Sequence, residues 1–425
     1  MLIGNSYSED ASSCGQGMQD SQLLNMLQAM LGEDAEVTVA LLSSGGKGMH
    51  WHATQAEQGN TAYSFKVITS NNPVWKSQGS YTSADALAWT DWDVVSLQPY
   101  NINVSTGQES VPYPDSTDPK FYHIEDSSAY MLDHVARYAP YADIYFYMHW
   151  AQTSSTVLNA ALSNYNKAAA FMPQVLDFSG TESGVQFKDI IPVGLSIQNA
   201  RTTYLALLRY NTTAYADGNL NLITDAQIGL QRDGGHVSFN IGRYIAALTF
   251  AETIIPVGMQ VEGYVLPDIR ITESVGQLPK EYSELAQKSV FAAVNGWKNG
   301  SLAVANIEGY TQDPTVAASE MLKKMELSLS LNDVDNWDEQ IRTMVLAALP
   351  TDFAVDNVVV NAGENIAAVT IRFGYTSATV EMTFAAAGPV QQSSSSVRTQ
   401  LSRLMTGASS VSGTFRIPFT DSMLS

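Results

Sequence analysis

Short apolar runs, each followed by a stretch of helical periodicity, constrain the architecture of this 425-residue chain more than any other feature. Leu2-Ile3, Val37 to Leu42, Asp93 to Gln98, Asp143 to Trp150 and Ile190 to Leu195 read as strands. After the first of them, Leu23, Leu24, Leu27 and Leu31 recur at the spacing of a helix with one buried face. Further helices are expected over 127–138 and 154–171, from the fifth strand through Leu208, and over 239–253. Such alternation predicts a doubly wound α/β domain, a five-stranded parallel sheet with helices on both faces. Ligands of these sheets sit outside the carboxyl ends of the strands. Ser6, Gly45-Gly46, Gln98, Trp150 and Ser196 all fall just past strand ends, which brings residues distant in sequence to one rim.

Two fragments supply the groups of an acyl-transfer site. Gly4-Asn5-Ser6 follows the first strand, and Asp233-Gly234-Gly235-His236 precedes a strongly apolar helix. A serine hydroxyl is a weak nucleophile at neutral pH; it needs a histidine base within reach and a carboxylate to hold the imidazole tautomer. Ser6, His236 and Asp233 match those needs. The competing use of Ser6 is as a helix N-cap, with Glu9 completing a capping box. For Asp233 and His236 the competing use is a loop ion pair.

These fragments resemble the SGNH, or GDSL-type, hydrolases. The resemblance is carried by Leu2-Ile3-Gly4-Asn5-Ser6-Tyr7-Ser8-Glu9-Asp10-Ala11, by Trp92-Asp93-Val94-Val95-Ser96-Leu97-Gln98, by Ile191-Pro192-Val193-Gly194 through Arg201, and by Arg232-Asp233-Gly234-Gly235-His236 leading to Gly242-Arg243-Tyr244. It spans residues 1–260 and is similar to one carbohydrate-esterase-like branch. What it implies is a flavodoxin-like three-layer α/β/α domain with Ser6 as nucleophile and Asp233 and His236 completing a triad. The oxyanion donors implied are the Ser6 N–H, Gly45 or Gly46, and a side-chain amide of the third block. That block departs from the usual Gly-x-Asn-Asp, so Gln98 is the expected donor, with Asn101 as substitute. The activity implied is removal of short acyl groups, acetyl foremost, from carbohydrate. His52, Asn101, Trp150 and Arg201 are the expected substrate contacts, and O-acetylated sialic acid fits if Arg201 faces the site. A lipase or thioesterase with the same triad is one rival reading. A non-catalytic carbohydrate-binding or virion-surface protein is the other.

Composition narrows the partners. Lys and Arg total 22 against 42 Asp and Glu, a formal charge of −20, which argues against nucleic acid and anionic membranes as partners. No cofactor is expected. His50-Trp51-His52 would set two imidazoles on one side of an extended segment, but no third ligand lies at a metal-site spacing. Cys14, the single cysteine, is expected to be a small buried residue. No apolar run reaches the length of a membrane span, and the start at the first strand is read as a trimmed leader of a secreted, periplasmic or virion-associated protein. Residues 261–310 read as a helical connector, with a helix over 281–294. Residues 311–425 read as an accessory α+β domain, with helices over 316–325 and 338–349 and strands over 355–360, 366–373 and 378–384. That domain is the expected contact for a homo-oligomer or larger assembly.

Overall fold

The computed structural model describes residues 1–14, 21–100, 102–103, 107–109, 118–152, 161–207, 230–232, 235–269, 280–307, 318–319, 322–323, 325, 327–330, 336–349, 353–373 and 376–387. The chain divides into two compact units, Met1–Ala206 with Tyr210–Gly309, and Leu207–Arg209 with Tyr310–Ser425.

The first unit is built on β1 (Leu2–Gly4), followed by α1 (Ser6–Ser12), α2 (Gln22–Leu31), β2 (Thr38–Ser43), α3 (Met49–Gln58), β3 (Tyr63–Thr69), β4 (Asn72–Tyr81), α4 (Ser83–Leu87) and β5 (Val94–Leu97). The short strands β6 (Ile102–Asn103) and β7 (Gln108–Glu109) lead to α5 (Ile124–Tyr138), β8 (Asp143–Tyr147), α6 (Leu162–Val175), β9 (Asp189–Ile191) and α7 (Val193–Ala200). Helices α8 (Ile241–Ile254) and α9 (Lys280–Lys298) complete it. The sheet runs β4-β3-β2-β1-β5-β8-β9. Its five expected strands are parallel, and two antiparallel strands, β3 and β4, extend it to seven. Of the two strands absent from the expectation, β4 is almost wholly exposed and carries no apolar alternation, whereas β3 does carry one, with Tyr63, Phe65 and Val67 buried between polar residues.

Register decides which face each side chain takes. Leu2 pairs with Leu41 and Ser96, and Ile3 with Leu42 and Leu97. Ile3, Leu42, Leu97 and Phe146 therefore join Trp51, Leu132 and Met172 in one core layer beneath α3, α5 and α6. Tyr147 points the other way, edge-on to Phe250 of α8 at 4.9 Å. Helix α8 is buried on nearly every side, and α1, α2, α7 and α9 pack around it.

Three local expectations are corrected. Residues 49–58 form α3 instead of an extended segment, which puts His50 and His52 on different sides of a helix. The strand expected over 190–195 stops at Ile191, and Val193 already begins α7. The helix that follows ends at Ala200, short of Leu208, which lies outside the described residues. The segment 153–160, where the helix expected over 154–171 was to begin, also lies outside them; α6 is described from Leu162.

His134 of α5 offers a stability prediction. It sits 2.9 Å from Ser83 Oγ, and burial, helped by Arg137, lowers its pKa to about 4. Between that value and 6.5 the unfolded chain binds a proton that the native protein refuses, so stability falls as pH drops through this window. The slope from this one group is about 1.4 kcal/mol per pH unit. Urea titrations of His134→Gln at pH 6.5 and 5 are expected to show a shallower acid dependence than wild type by that amount.

In the second unit, β11 (Phe353–Asn361), β12 (Ile366–Phe373) and β13 (Thr376–Ala387) form an antiparallel meander, and β10 (Leu327–Ser330) joins β13 in parallel. Helix α10 (Trp337–Ala348) sets Trp337 edge-on to Phe384 at 5.2 Å. Arg372 and Asp356 pair across adjacent strands at 3.0 Å.

Candidate active site

Ser6 opens α1, with only Asn5 between it and the end of β1. The cap of this helix is Asn5, whose side-chain oxygen accepts from the Tyr7 amide at 2.9 Å. Ser6 is thereby released from the capping role, and its hydroxyl lies 2.9 Å from His236 Nε2. Glu9 closes no capping box either, because its carboxylate accepts from Ser43 Oγ at 2.9 Å. Both Ser6 and His236 are half-buried, so the pair is held by the protein yet open to a ligand. A hydroxyl at this distance can pass its proton to a neutral imidazole.

The turn that carries Ser6 is locked from below. Gln98, wholly buried at the end of β5, accepts on one side-chain oxygen from the Asn5 amide (3.1 Å), the Ser8 amide (3.2 Å) and Ser8 Oγ (2.9 Å). Its amide nitrogen donates to Pro99 O at 2.6 Å. Three converging donors fix which way this amide faces, with its oxygen toward the nucleophile turn and its nitrogen on Pro99 O. Gly4 is required by the same packing, since a Cβ there would lie 2.2 Å from Ser8 Oγ and 2.5 Å from Gln98 Oε1. Gln98→Leu would leave three buried donors without an acceptor, at about 1–3 kcal/mol for each. A loss of at least 2 kcal/mol in urea denaturation is the expected result.

Donors for an oxyanion remain elsewhere. Of the amides that begin α1, those of Tyr7, Ser8 and Glu9 are used by Asn5 Oδ1, Gln98 Oε1 and Asn5 O. The Ser6 N–H has no acceptor among the described residues, and neither do those of Gly45 and Gly46. These glycines sit in the turn from Ser44 to Lys47, where Gly46 takes φ 68°, a conformation that glycine adopts without steric cost. Asn5 Nδ2 donates to Lys47 O at 2.7 Å and ties this turn to the nucleophile's own.

His236 is placed by a second set of contacts. Arg232 N donates to His236 O at 3.1 Å, and Gln231 bridges to Val237, closing a small loop. Trp150 is fully buried and its indole N–H holds Gly235 O at 2.8 Å. Asp10, one turn beyond Ser6 on α1, is completely buried and accepts on Oδ1 from Arg232 Nη1 and Arg243 Nε, each at 2.9 Å. Both guanidinium groups lie over the Phe239 ring, at 4.3 and 4.4 Å. The helix bearing Ser6 and the loop bearing His236 are thus pinned to each other through Asp10.

Several expected substrate contacts are not at the rim. Arg201 is buried, its guanidinium donating to Gln198 Oε1, Ala151 O and Gln231 Oε1, and burial lowers its pKa to about 10. At 1% exposure it braces the Trp150 and Gln231 segments. Trp150 gives its indole N–H to Gly235 O, while its ring lines a cavity beside β8. His52 is enclosed in α3 beside Tyr63 OH at 3.2 Å, and burial lowers its pKa to about 3. His50 pairs with Glu109, a buried carboxylate that also accepts from the Met49, His50 and Tyr100 amides. Burial acts to raise the Glu109 pKa, but the bonds from His50 and Tyr100 outweigh it and hold the carboxyl below its ordinary value. Glu109 thereby caps α3 and fixes Tyr100, whose ring lies parallel to that of Tyr7 at 6.2 Å. Asp233 and Asn101 lie outside the described residues.

The roles of Asn5, Asp10, Glu109 and Arg232 were missed by sequence reasoning. Asp10 follows Ser6 by four residues and Arg232 immediately precedes Asp233, a spacing that could have flagged them. Nothing local points to Glu109.

Residues 1–281 match the model of a family described as a domain of unknown function, DUF4886. In structure the chain is similar to a DUF4886 family protein from Bacteroides uniformis ATCC 8492, with 20% identity, coverage of 72% of this chain and 96% of that one, and a TM-score of 0.48. It is also similar to a possible lipase from Chitinophaga pinensis DSM 2588, with 14% identity, coverage of 61% and 98%, and a TM-score of 0.30. None of the curated proteins matches it. Among the described residues no helix is long and apolar enough to cross a membrane.

Proposed function

The chain belongs to the DUF4886 family, and on that premise we propose that it is an SGNH-type serine esterase that removes a short acyl group from a carbohydrate hydroxyl. The observation that carries this reading is the Ser6 Oγ to His236 Nε2 distance of 2.9 Å at the carboxyl end of the central strand. Ser6 Oγ attacks the ester carbonyl carbon while its proton passes to His236 Nε2. The oxyanion that forms is met by the Ser6 N–H and the Gly45-Gly46 turn, preorganised donors of the kind that lower such barriers most. When the carbon–oxygen bond to the alcohol breaks, His236 returns its proton to the leaving alkoxide. Water then attacks the acyl-enzyme, giving its proton to His236, and the Ser6 oxygen departs and recovers that proton as the carboxylic acid leaves. Asp233, three residues before His236, is assigned to hold the imidazole tautomer.

The alcohol half is assigned to carbohydrate on the resemblance and on the acidic, polar composition. Tyr100, half-buried beside Tyr7, is the aromatic available for stacking on a sugar. An acidic sugar loses its support, because that reading required Arg201 in the site. Commitment of Gln98 to the nucleophile turn favours one second reading, a carbohydrate-binding protein without turnover. Hydrolysis of p-nitrophenyl acetate and butyrate by wild type and Ser6→Ala separates the two. Turnover by the wild type that disappears in the variant supports the esterase; equal background from both refutes it.

A further inference from the structure

A cavity of about 360 Å³ lies between the carboxyl ends of β5 and β8 and helix α6. Phe146, Met148, Phe171 and Met172 form its apolar wall. His149 and Trp150 form the end nearest the candidate site, with their rings 4.8 and 4.9 Å from that of Tyr7, the residue after Ser6. Neither Ser6 nor His236 lines this space.

The sheet order says which part of an ester would enter it. A carbonyl carbon bonded to Ser6 Oγ carries three other substituents. The leaving alcohol must lie toward His236 Nε2, which enters from the loop ahead of α8, on the helical face shared by α1 and α8. The oxyanion must lie toward the Ser6 N–H and the Gly45-Gly46 turn, which follows β2. Since β2 and β5 flank β1 on opposite sides, the remaining direction runs toward β5 and β8. The cavity lies on that side, beyond the packed rings of Tyr7, His149 and Trp150.

We propose that this cavity is the acyl pocket and that it takes an apolar chain of butyryl to hexanoyl length, longer than the acetyl group that the family resemblance implies. This rests on the serine esterase reading. Its volume falls at the small end of the roughly 300–1,000 Å³ range of small-molecule sites, far more than one methyl group fills. Methionine walls adapt to chains of different shape. Each buried methylene is worth about fourfold in affinity, so a hexanoyl ester is expected to exceed an acetyl ester by at least tenfold even with partial burial.

The test uses two readouts on the full chain. Wild-type kcat/KM is measured on p-nitrophenyl acetate, butyrate, hexanoate and decanoate, and the same esters are titrated calorimetrically into Ser6→Ala, which lacks the nucleophile. Ala168 of α6 lines the cavity and is half-buried, so Ala168→Phe fills the space from its mouth. The expected result is tighter binding of hexanoate than acetate to Ser6→Ala by tenfold or more, and a loss of that ratio when Ala168→Phe is added. Equal binding of the two esters, or a ratio untouched by Ala168→Phe in a variant whose circular dichroism is native, would overturn the pocket assignment. Binding preference without wild-type turnover would support the pocket while refuting the esterase. Turnover fastest on acetate with no binding preference would do the reverse.

Discussion

Alanine at Ser6 or at His236 is expected to lower kcat on a p-nitrophenyl ester by roughly 10,000- to 1,000,000-fold, and alanine at both is expected to cost no more than either alone. The two side chains act as one unit: the hydroxyl is a nucleophile only while the imidazole accepts its proton, and the imidazole contributes to the acyl step only through that hydroxyl. Losses at such sites are grossly non-additive. The expected drop corresponds to about 5–8 kcal/mol of barrier. Residual hydrolysis in the double variant should remain above the uncatalysed rate, because the Ser6 N–H position and the Gly45-Gly46 turn are backbone features that survive both substitutions. Additive losses in the double variant would mean that Ser6 and His236 work separately, and the 2.9 Å contact would carry no catalytic meaning.

Asp10→Ala is expected to cost about 3–5 kcal/mol of stability, the penalty for removing one member of a buried ion pair. Arg232 and Arg243 both converge on Asp10 Oδ1, and Arg243 is itself almost fully buried, so deletion removes a carboxylate that two guanidinium groups share where water has little access. Asp10→Asn keeps the shape and an acceptor and should lose less. The substitution also reaches the chemistry. Arg232 is the residue whose backbone N–H holds His236 O, and without Asp10 its side chain loses the bond that ties this loop to the helix bearing Ser6. Urea denaturation gives the stability loss. Measured on protein shown to be folded, a fall in kcat with little change in KM would mark Asp10 as positioning the pair; unchanged kcat would reduce it to a structural ion pair.

The parallel core was legible because its strands are buried on both faces and announce themselves as apolar runs. Where burial is absent the signal fades, and β4 was lost for that reason, while β3 carried a legible alternation at Tyr63, Phe65 and Val67. Helix α3 was misread because its N-terminal amides are satisfied by Glu109, some sixty residues further along the chain, while its own start at Gly48 offers no capping side chain. The Ser6 and His236 positions could be read from local motifs. Roles that depend on which side of a group faces the ligand could not: Gln98 sits where a donor was expected but presents its oxygen to the nucleophile turn, and Arg201 ends a helix whose burial no local pattern reveals. Amide orientation and side-chain burial are settled by tertiary packing, which spacing along the chain does not encode.

Labelling with an alkyl fluorophosphonate, located by peptide mass spectrometry, tests most directly whether His236 activates Ser6. A single phosphonyl adduct on Ser6 in the wild type, absent from His236→Ala over the same time, is the predicted result. No adduct at Ser6, or one that forms equally fast in His236→Ala, would contradict the account.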